Sequence, residues 1–290
     1  GRIARYAWGN DYHDLVRAKL NKLAEYLVAA APGAIARGVV DTAPLLEREY
    51  AQLAGLGWIG KNTLLLNRSE GSWFFLAALL TDQSLDYDEP HAADHCGSCR
   101  ACLDACPTDA FVRPYVHDAR RCVSYLTIEH RTAIPEALRG GIGNWVLGCD
   151  ICQDVCPWNR KSPATDEPAL APNEQSNPIE LAELFALDDR AFRQRFGGTP
   201  LWRPKRRGIL RNAAIVLGNQ RDPNAVPALI RGLADPEPLV RGACAWALGR
   251  FNSTMASTAL ERRRPIETDD LVRAEIDLVL RAHARATSQG

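Results

Sequence analysis

Most of the chain's cysteines fall in one short segment, with the spacing of metal ligands. Eight of the nine cysteines lie between Cys96 and Cys156 in a sequence of 290 residues. The first four have the spacing Cys-x2-Cys-x2-Cys-x3-Cys-Pro, which begins at Cys96 and ends at Pro107. In such a run three thiolates wrap one iron–sulfur cubane, and the fourth points away to a second cluster. The spacing therefore predicts two [4Fe–4S] clusters and one-electron redox chemistry.

A second group repeats this run with one cysteine displaced. The sequence Cys149-x2-Cys-x3-Cys-Pro157 lacks the first cysteine, and Val146 stands in its place. Two clusters need eight thiolates, and Cys122 is the one further cysteine in the region. The reciprocal arrangement of two-cluster ferredoxins then assigns the ligands. We expect cluster one to bind Cys96, Cys99, Cys102 and Cys156, and cluster two to bind Cys106, Cys122, Cys149 and Cys152.

A zinc site is the alternative for the same cysteines. Zinc prefers four ligands that converge on one ion, whereas this run ends in a cysteine that is directed elsewhere. Tight spacing in a chain of this size also favours metal ligands over disulfides, which are typical of small secreted proteins. Iron–sulfur clusters are therefore the preferred interpretation. The ninth cysteine, Cys244, lies in an apolar stripe and is expected to be part of a core.

The composition is that of a globular chain with one basic segment. Hydrophobic residues make up 46% of the sequence, and the formal net charge is +0. The longest apolar run, residues 73–80, is far shorter than the roughly 20 residues of a membrane span. Nine basic residues and no acidic residue lie between Arg190 and Arg221, which predicts a positively charged surface. The chain begins at Gly1, shows no signal peptide, and is expected to lack an N-terminal part.

The elements around the cysteines predict an α+β protein. Residues 1–90 are interpreted as an α/β cofactor-binding domain, with helices over 14–31 and 45–54 and a strand over 38–42. Residues 73–81 fit either a strand or a short helix. Residues 91–160 are predicted to be a two-cluster ferredoxin-like module. Because this module contains few apolar residues, the metal must organise it.

The C-terminal part predicts an α-solenoid. Residues 161–207 are interpreted as a linker followed by a short helix and the basic segment. Residues 210–218 resemble residues 240–249 at an offset of 30 residues, and Asp-Pro pairs separate the helices between them. Short repeats of this kind stack helix on helix. Residues 208–290 are therefore expected to form HEAT-like repeats.

Several motifs together resemble the epoxyqueuosine reductase family. They are VDTAPLLER at 40–48, GWIGKNT at 57–63 and CVSYLTIE at 122–129, together with the eight-cysteine pattern and the HEAT-like tail. The resemblance covers essentially the whole chain. It implies an oxidoreductase that reduces the epoxide of epoxyqueuosine in tRNA to give queuosine. It also implies a cobalamin, fed with electrons by the two [4Fe–4S] clusters.

The resemblance implies that Asp41 is the proton donor to the epoxide oxygen. The sequence offers a physical reason, because Asp41 follows two valines that are expected to be buried, and burial raises the pKa of a carboxyl group. A helix cap is the alternative, since a helix could begin near Pro44 and aspartate is a good cap.

The resemblance also implies contacts to cobalamin and to tRNA. The residues expected to bind cobalamin are Asp41, Asn62, Leu65, Ser124, Cys149 and Asp150. A plain polar turn is the alternative for Asn62, and hydrogen bonds to cluster sulfurs are the alternative for Ser124 and Asp150. The residues expected to bind the anticodon stem-loop of tRNA are Arg203, Lys205, Arg206 and Arg207. For these the alternative is a solvated helix end. We expect a cytoplasmic monomer that receives electrons from a separate donor and does not contact a membrane.

Three other functions fit parts of the sequence. A reductive dehalogenase-like corrinoid enzyme would also carry two clusters, but a small organohalide needs no solenoid. An iron–sulfur electron-transfer module would contain iron and sulfide without cobalamin. A tRNA-binding scaffold with structural clusters would show no redox turnover.

Replacing Cys122 by alanine tests the ligand assignment. We expect Cys122→Ala to damage cluster two and to leave cluster one formed, because only cluster two is assigned this thiolate. Iron content and the electron paramagnetic resonance spectrum of the reduced protein measure the effect. The Cys244→Ala variant is the control, since Cys244 belongs to neither ligand set. Unchanged iron and spectra in Cys122→Ala would show that the assignment is wrong.

Overall fold

The structure, a computed structural model, describes residues 1–173 and 178–287, with side chains to residue 284. The chain divides into two compact units, each built from segments that are distant in sequence. We call one the mixed unit; it comprises Gly9–Ala119 and Asp150–Ala171. We call the other the helical unit; it comprises Gly1–Trp8, Arg120–Cys149 and Pro172–Gly290. The predicted division of the chain into four segments stays a prediction.

A long helix and an antiparallel pair of strands begin the mixed unit. Helix Tyr12–Ala30 starts after Asp11, whose carboxylate accepts a backbone N–H of the first turn at 3.0 Å, as helix N-caps do. Strand Ala36–Val39 pairs with strand Ala78–Thr81 and packs against this helix. The other strands and helices of the unit are Glu47–Leu53, Trp58–Ile59, Leu65–Leu66, Ala101–Asp104, Phe111–Arg113, Val116–His117 and Ile151–Asp154.

A short hairpin in the mixed unit contains the motif at 57–63. Strand Trp58–Ile59 pairs antiparallel with strand Leu65–Leu66. A Cβ atom on Gly57 would lie 2.0 Å from the carbonyl oxygen of Leu66, so the hairpin requires glycine at this position. The turn between the strands places the side chain of Lys61 at a cavity that the cysteines line.

Helices dominate the helical unit. Its two short strands, Arg2–Ile3 and Trp145–Leu147, pair in parallel. The second strand is buried and packs against helix Lys205–Gln220. The other α-helices of the unit are Val123–Ile128, Glu136–Arg139, Leu181–Leu184, Asp189–Phe196, Val226–Gly232, Pro238–Leu248, Thr254–Arg263 and Asp270–Thr287.

The repeated sequence forms the centre of this unit's core. Its two copies lie on helices Lys205–Gln220 and Pro238–Leu248, which pack against each other. A Cβ atom on Gly218 would lie 2.9 Å from the Cα atom of Ala247, so the glycine of the repeat permits this close contact. Cys244 is fully buried in the same core, as the sequence predicts.

Buried ion pairs join the helices of this unit. Arg241 binds Glu267 at 2.7 Å, and Arg263 binds the same carboxylate at 2.9 Å. The hydrogen bond from Arg241 is the main cause that lowers the pKa of Glu267 to about 2, from the usual 4.5. Because this pKa is lowered in the folded state, the carboxylate stabilises the fold fully above about pH 4.5. That contribution is lost as the pH falls toward 2.

The coarse fold prediction is confirmed, since the chain combines strands with helices and ends in a helical part. The first predicted helix and strand form as Tyr12–Ala30 and Ala36–Val39. The second predicted helix begins only at Glu47, with Leu46 as its N-cap residue. The interpretation of Asp41 as a helix cap is therefore wrong. Across residues 1–173 and 178–287, no helix combines the length and apolar character needed to cross a membrane.

Replacing Arg241 by alanine should destabilise the helical unit by about 3 kcal/mol at pH 7, because the variant leaves a buried carboxylate without its main partner. Chemical unfolding followed by circular dichroism measures this. The loss should shrink as the pH falls from 4.5 toward 2, where Glu267 becomes protonated. The control is Arg264→Ala, which removes a surface pair with Asp277 and should cost much less stability. Equal losses in both variants would contradict this account.

Candidate metal centre and active site

One cavity of the mixed unit is lined by four cysteines. Its volume is about 280 Å³. The cysteines are Cys96, Cys99, Cys102 and Cys156. Two short helices, Ala101–Asp104 and Ile151–Asp154, pack against each other. Cys102 lies on the first, and Cys156 follows the second by two residues. The structure therefore brings together the four residues that the sequence assigned to cluster one.

Lys61 binds the backbone of the cysteine loop. Its ammonium group donates hydrogen bonds to the carbonyl oxygens of Gly97 and Cys99, the latter at 2.9 Å. The backbone N–H of Cys99 donates to the carbonyl oxygen of Cys96 at 3.0 Å and closes the turn. Gly97 has a φ of +49°, which glycine adopts without strain. Lys61 thus holds the backbone between two of the cavity's cysteines.

Three of the cavity's thiols, those of Cys96, Cys102 and Cys156, are difficult to ionise on their own. Burial raises the pKa of the Cys102 thiol to about 11, and the nearby sulfurs of Cys156 and Cys96 add to the effect. Burial also raises the pKa of Cys96 and of Cys156. Metal ligands must be thiolates, so the charge of a bound metal group would have to stabilise them.

The buried indole of Trp58 indicates what kind of group fits. Trp58 is 1% exposed and packs against Cys96 and Cys156. Its Nε1–H makes no hydrogen bond of normal geometry with a described residue. Burial raises the pKa of Cys96, and the nearby indole offsets part of that rise. Buried indole N–H groups normally have an acceptor. The cavity is also much larger than the roughly 30 Å³ of one water molecule. These features fit a four-iron cluster with sulfur acceptors better than a single zinc ion.

The four cysteines assigned to cluster two belong to different units. Cys106 and Cys152 lie in the mixed unit, whereas Cys122 and Cys149 lie in the helical unit. The backbone N–H of Ala110 donates to the sulfur of Cys106 at 3.3 Å, a contact that supports a metal-bound thiolate. Cys122 is the N-cap residue of a short helix. Their assignment to one cluster stays a prediction.

Asp41 lies on an exposed loop after strand Ala36–Val39. Its φ is +49°, in the left-handed region, and its side chain is 40% exposed. Its backbone N–H donates to the Glu47 carboxylate at 2.8 Å. The predicted burial of this carboxyl group is wrong, because the strand ends at Val39 and only Val40 is buried.

His13 connects Asp41 to Asp11. The Nε2 atom of His13 lies 2.9 Å from Asp41 Oδ2, and its Nδ1 atom lies 2.7 Å from Asp11 Oδ1. The ring stacks on Tyr12, which stacks on Phe75. A carboxylate beside Nδ1 favours a proton on that nitrogen. In that tautomer Nε2, which faces Asp41, is the acceptor. No local sequence pattern indicates this contact, because 28 residues separate His13 from Asp41.

The other residues predicted to bind cobalamin are divided between the two units, and their role stays a prediction. Leu65, Asn62 and Asp150 are buried residues of the mixed unit. Ser124 and Cys149 are half-buried residues of the helical unit. The Nδ2 atom of Asn62 has no hydrogen-bond partner among the described residues. It could therefore donate to a bound group.

Only some residues of the basic segment lie on the surface. Arg206 is buried, pairs with Asp235, and donates through Nε to the carbonyl oxygen of Leu187 at 2.7 Å. It cannot contact a phosphate, so its predicted role in tRNA binding is wrong. Asp235 lies 29 residues away in the sequence, so no local sequence pattern predicts this ion pair.

The other three basic residues predicted to bind tRNA are accessible. Arg203 binds Glu129 at 2.8 Å, and its side chain is 40% exposed. The Nζ atom of Lys205 lies 4.1 Å from the centre of the Trp202 ring. Arg207 is 47% exposed and lies 4.0 Å from Glu237. We call the side chains of Trp202, Arg203, Lys205 and Arg207 the basic surface.

Comparison with known proteins places the chain in a family. The family models that match are "Epoxyqueuosine reductase QueG, DUF1730" over residues 1–42, "4Fe-4S double cluster binding domain" over 95–159 and "HEAT repeats" over 206–281. The epoxyqueuosine reductase of Pseudomonas aeruginosa is 49% identical over 257 residues, which cover 87% of this chain and 70% of that protein. This chain belongs to the epoxyqueuosine reductase family. The family member of Escherichia coli is 44% identical over 268 residues, or 91% of this chain and 70% of that protein.

Solved structures of epoxyqueuosine reductases have the same fold. One, with an epoxyqueuosine-modified tRNA-Tyr stem loop, matches 97% of this chain and 74% of its own with a TM-score of 0.91 and 36% identity. Another, from Bacillus subtilis, has a catalytic aspartate loop swung out of the active site. It matches the same shares of the two chains with a TM-score of 0.91 and 35% identity.

The family relationship supports the metal centre. The double-cluster model spans all eight cysteines of the predicted ligand sets. The prediction of [4Fe–4S] clusters is confirmed at this level, and the HEAT-like repeats agree with the model over 206–281. The roles of individual cysteines, of Asp41 and of the basic surface stay predictions.

Proposed function

We propose that this chain reduces the epoxide of epoxyqueuosine in tRNA to give queuosine. The observation that carries the proposal is the 49% identity to an epoxyqueuosine reductase in a chain that gathers four cysteines at one cavity. Family membership argues against the reductive dehalogenase-like alternative. An electron-transfer module and a tRNA-binding scaffold both lack turnover, so an assay for queuosine separates them from the reductase.

The reaction fixes what the protein must supply. Removing the epoxide oxygen leaves a carbon–carbon double bond and one water molecule, and it consumes two electrons and two protons. Iron–sulfur clusters pass electrons singly, so a separate donor must deliver them one at a time. The protein must also provide a proton for the leaving oxygen.

The proposed ligand sets follow the reciprocal arrangement predicted from the sequence. Cluster one is supported by the cavity that its four cysteines line. Cluster two is supported by spacing and by the double-cluster family model. The finer fold assignments belong to this proposal: an α/β cofactor-binding domain over 1–90, a ferredoxin-like module over 91–160 and an α-solenoid over 208–290.

Cobalamin is part of the proposal through the family resemblance. When bound, a reduced cobalt centre would supply a strong nucleophile and store electrons for the reduction. Asn62 supports the assignment with a buried amide N–H that has no partner among the described residues. Leu65 offers a buried apolar side chain, and the carboxylate of Asp150 is a buried polar group. Ser124 and Cys149 complete the proposed contacts together with Asp41.

We assign the proton donation to Asp41 and its positioning to His13. A proton on Asp41 would lie between Asp41 Oδ2 and His13 Nε2, which are 2.9 Å apart. Asp11 orients the imidazole from the other side. This arrangement holds a proton at an exposed carboxyl group, where a large substrate such as a tRNA loop could reach it. The exposed position of Asp41 therefore suits a macromolecular substrate.

The basic surface is the proposed tRNA contact. Arg and Lys side chains neutralise phosphates, and an exposed aromatic ring can stack on an unpaired base. Lys205 and Trp202 lie side by side and could provide both interactions. We further propose that the chain acts as a cytoplasmic monomer that takes electrons from a separate donor protein.

The Asp41→Asn variant tests the catalytic proposal. It should keep both clusters and tRNA binding, because the side chain's size is nearly unchanged. Turnover to queuosine should fall by roughly 10²–10⁴-fold, the typical cost of losing a general acid. Mass spectrometry of nucleosides from the tRNA measures turnover. The matched control is Glu47→Gln, which changes a neighbouring carboxylate in the same way and should have a much smaller effect. Near-normal turnover in Asp41→Asn would remove Asp41 from the mechanism.

The double variant Lys205→Ala/Arg207→Ala tests the basic surface. Its affinity for tRNA should fall, and the slope of log affinity against log salt should decrease by about 1 for each lost phosphate contact. Filter binding at several salt concentrations measures both quantities. The control, Arg17→Ala/Lys22→Ala, removes the same charge from the exposed face of helix Tyr12–Ala30. If both variants bind alike, the basic surface has no specific role.

A further inference from the structure

Trp58 is a buried tryptophan whose indole N–H has no hydrogen-bond acceptor among the described residues. The side chain is 1% exposed and packs against two cysteines of the cavity, Cys96 and Cys156. The rings of His95 and Trp158 meet its edge, with ring centres 4.7 and 4.9 Å away. The indole is thus surrounded by protein side chains, and it lies beside the proposed position of cluster one.

The indole nitrogen of Trp58 differs from that of its neighbour. Trp158 donates its Nε1–H to the carbonyl oxygen of His95 at 3.4 Å. The Nε1–H of Trp58 has no such acceptor among the described residues. Indole nitrogen is a donor only, and a buried donor is rarely left without a partner. An acceptor that belongs to the bound group would complete the site.

We propose that the indole N–H of Trp58 donates a hydrogen bond to a sulfur of cluster one and raises the cluster's reduction potential. The inference rests on the proposed iron–sulfur site and deepens it. Both thiolate and sulfide sulfur accept hydrogen bonds, and Cys96, one of the thiolates assigned to cluster one, packs against Trp58. Trp58 is therefore a residue that tunes cluster one and takes no part in the bond changes of the substrate.

The direction of the effect follows from charge. Reduction adds one electron to the cluster and increases the negative charge on its sulfurs. A hydrogen bond to a more negative acceptor is stronger, so the N–H stabilises the reduced cluster more than the oxidised one. Hydrogen bonds to sulfur are among the factors that set the potentials of such clusters. Removing the N–H should therefore make cluster one harder to reduce.

The test is a redox titration of the anaerobically purified holoprotein, followed by electron paramagnetic resonance. Trp58→Phe should favour the oxidised form of cluster one by roughly tenfold, which equals about 59 mV for a one-electron couple. The potential of cluster two should not change and serves as an internal reference. Trp158→Phe is the matched control, since it removes an indole that lines the cavity and whose N–H already has a backbone partner. It should shift the potential of cluster one much less.

A second variant separates the hydrogen bond from the packing. Benzothienylalanine at position 58 keeps the bicyclic shape and replaces the N–H by sulfur, so it should lower the potential as Trp58→Phe does. Pulsed spectroscopy after exchange into heavy water should show one deuteron coupled to cluster one, which the variant lacks. An unchanged potential in a variant that holds full iron would overturn the inference. Absence of iron from the wild-type protein would instead overturn the proposed metal centre.

Discussion

Binding of four thiolates at one cavity is the interaction on which the mixed unit depends. Between residues 91 and 119 only Thr108 and Ala110 are buried, so apolar packing contributes little to the fold of this segment. The thiols of Cys96, Cys102 and Cys156 have raised pKa values because they are partly buried. A metal group removes that cost and joins two distant stretches of chain. Metal binding and folding are coupled in such segments.

The hairpin at 57–63 supports the cavity through neighbouring residues. Gly57 allows the two strands to approach, Trp58 packs against the cysteines, and Lys61 binds the carbonyl groups of the cysteine loop. The motif at 57–63 thus has a structural role in this chain, in addition to any contact with cobalamin. The loop that contains Asp41 follows a different principle. Asp41 is exposed, and its position depends on hydrogen bonds to His13 and Glu47.

Predictions from the sequence succeeded where the signal was local. Cysteine spacing selected four residues that line one cavity, although their role as ligands stays a prediction, and the repeat located two helices that pack with Gly218 at their contact. Predictions failed where partners are distant in sequence. Arg206 appears in a basic run, yet Asp235 pairs with it in the interior. The exposure of Asp41 depends on where a strand ends, which apolar neighbours alone do not determine.

The stoichiometry and electronic state of the metal test the account most directly. Mössbauer spectroscopy of anaerobically prepared, iron-57-labelled protein, combined with sulfide analysis, measures both. The account predicts about eight irons and eight sulfides per chain, all in two [4Fe–4S] clusters. Zinc in place of iron, or full occupancy by a single four-iron cluster, would contradict it.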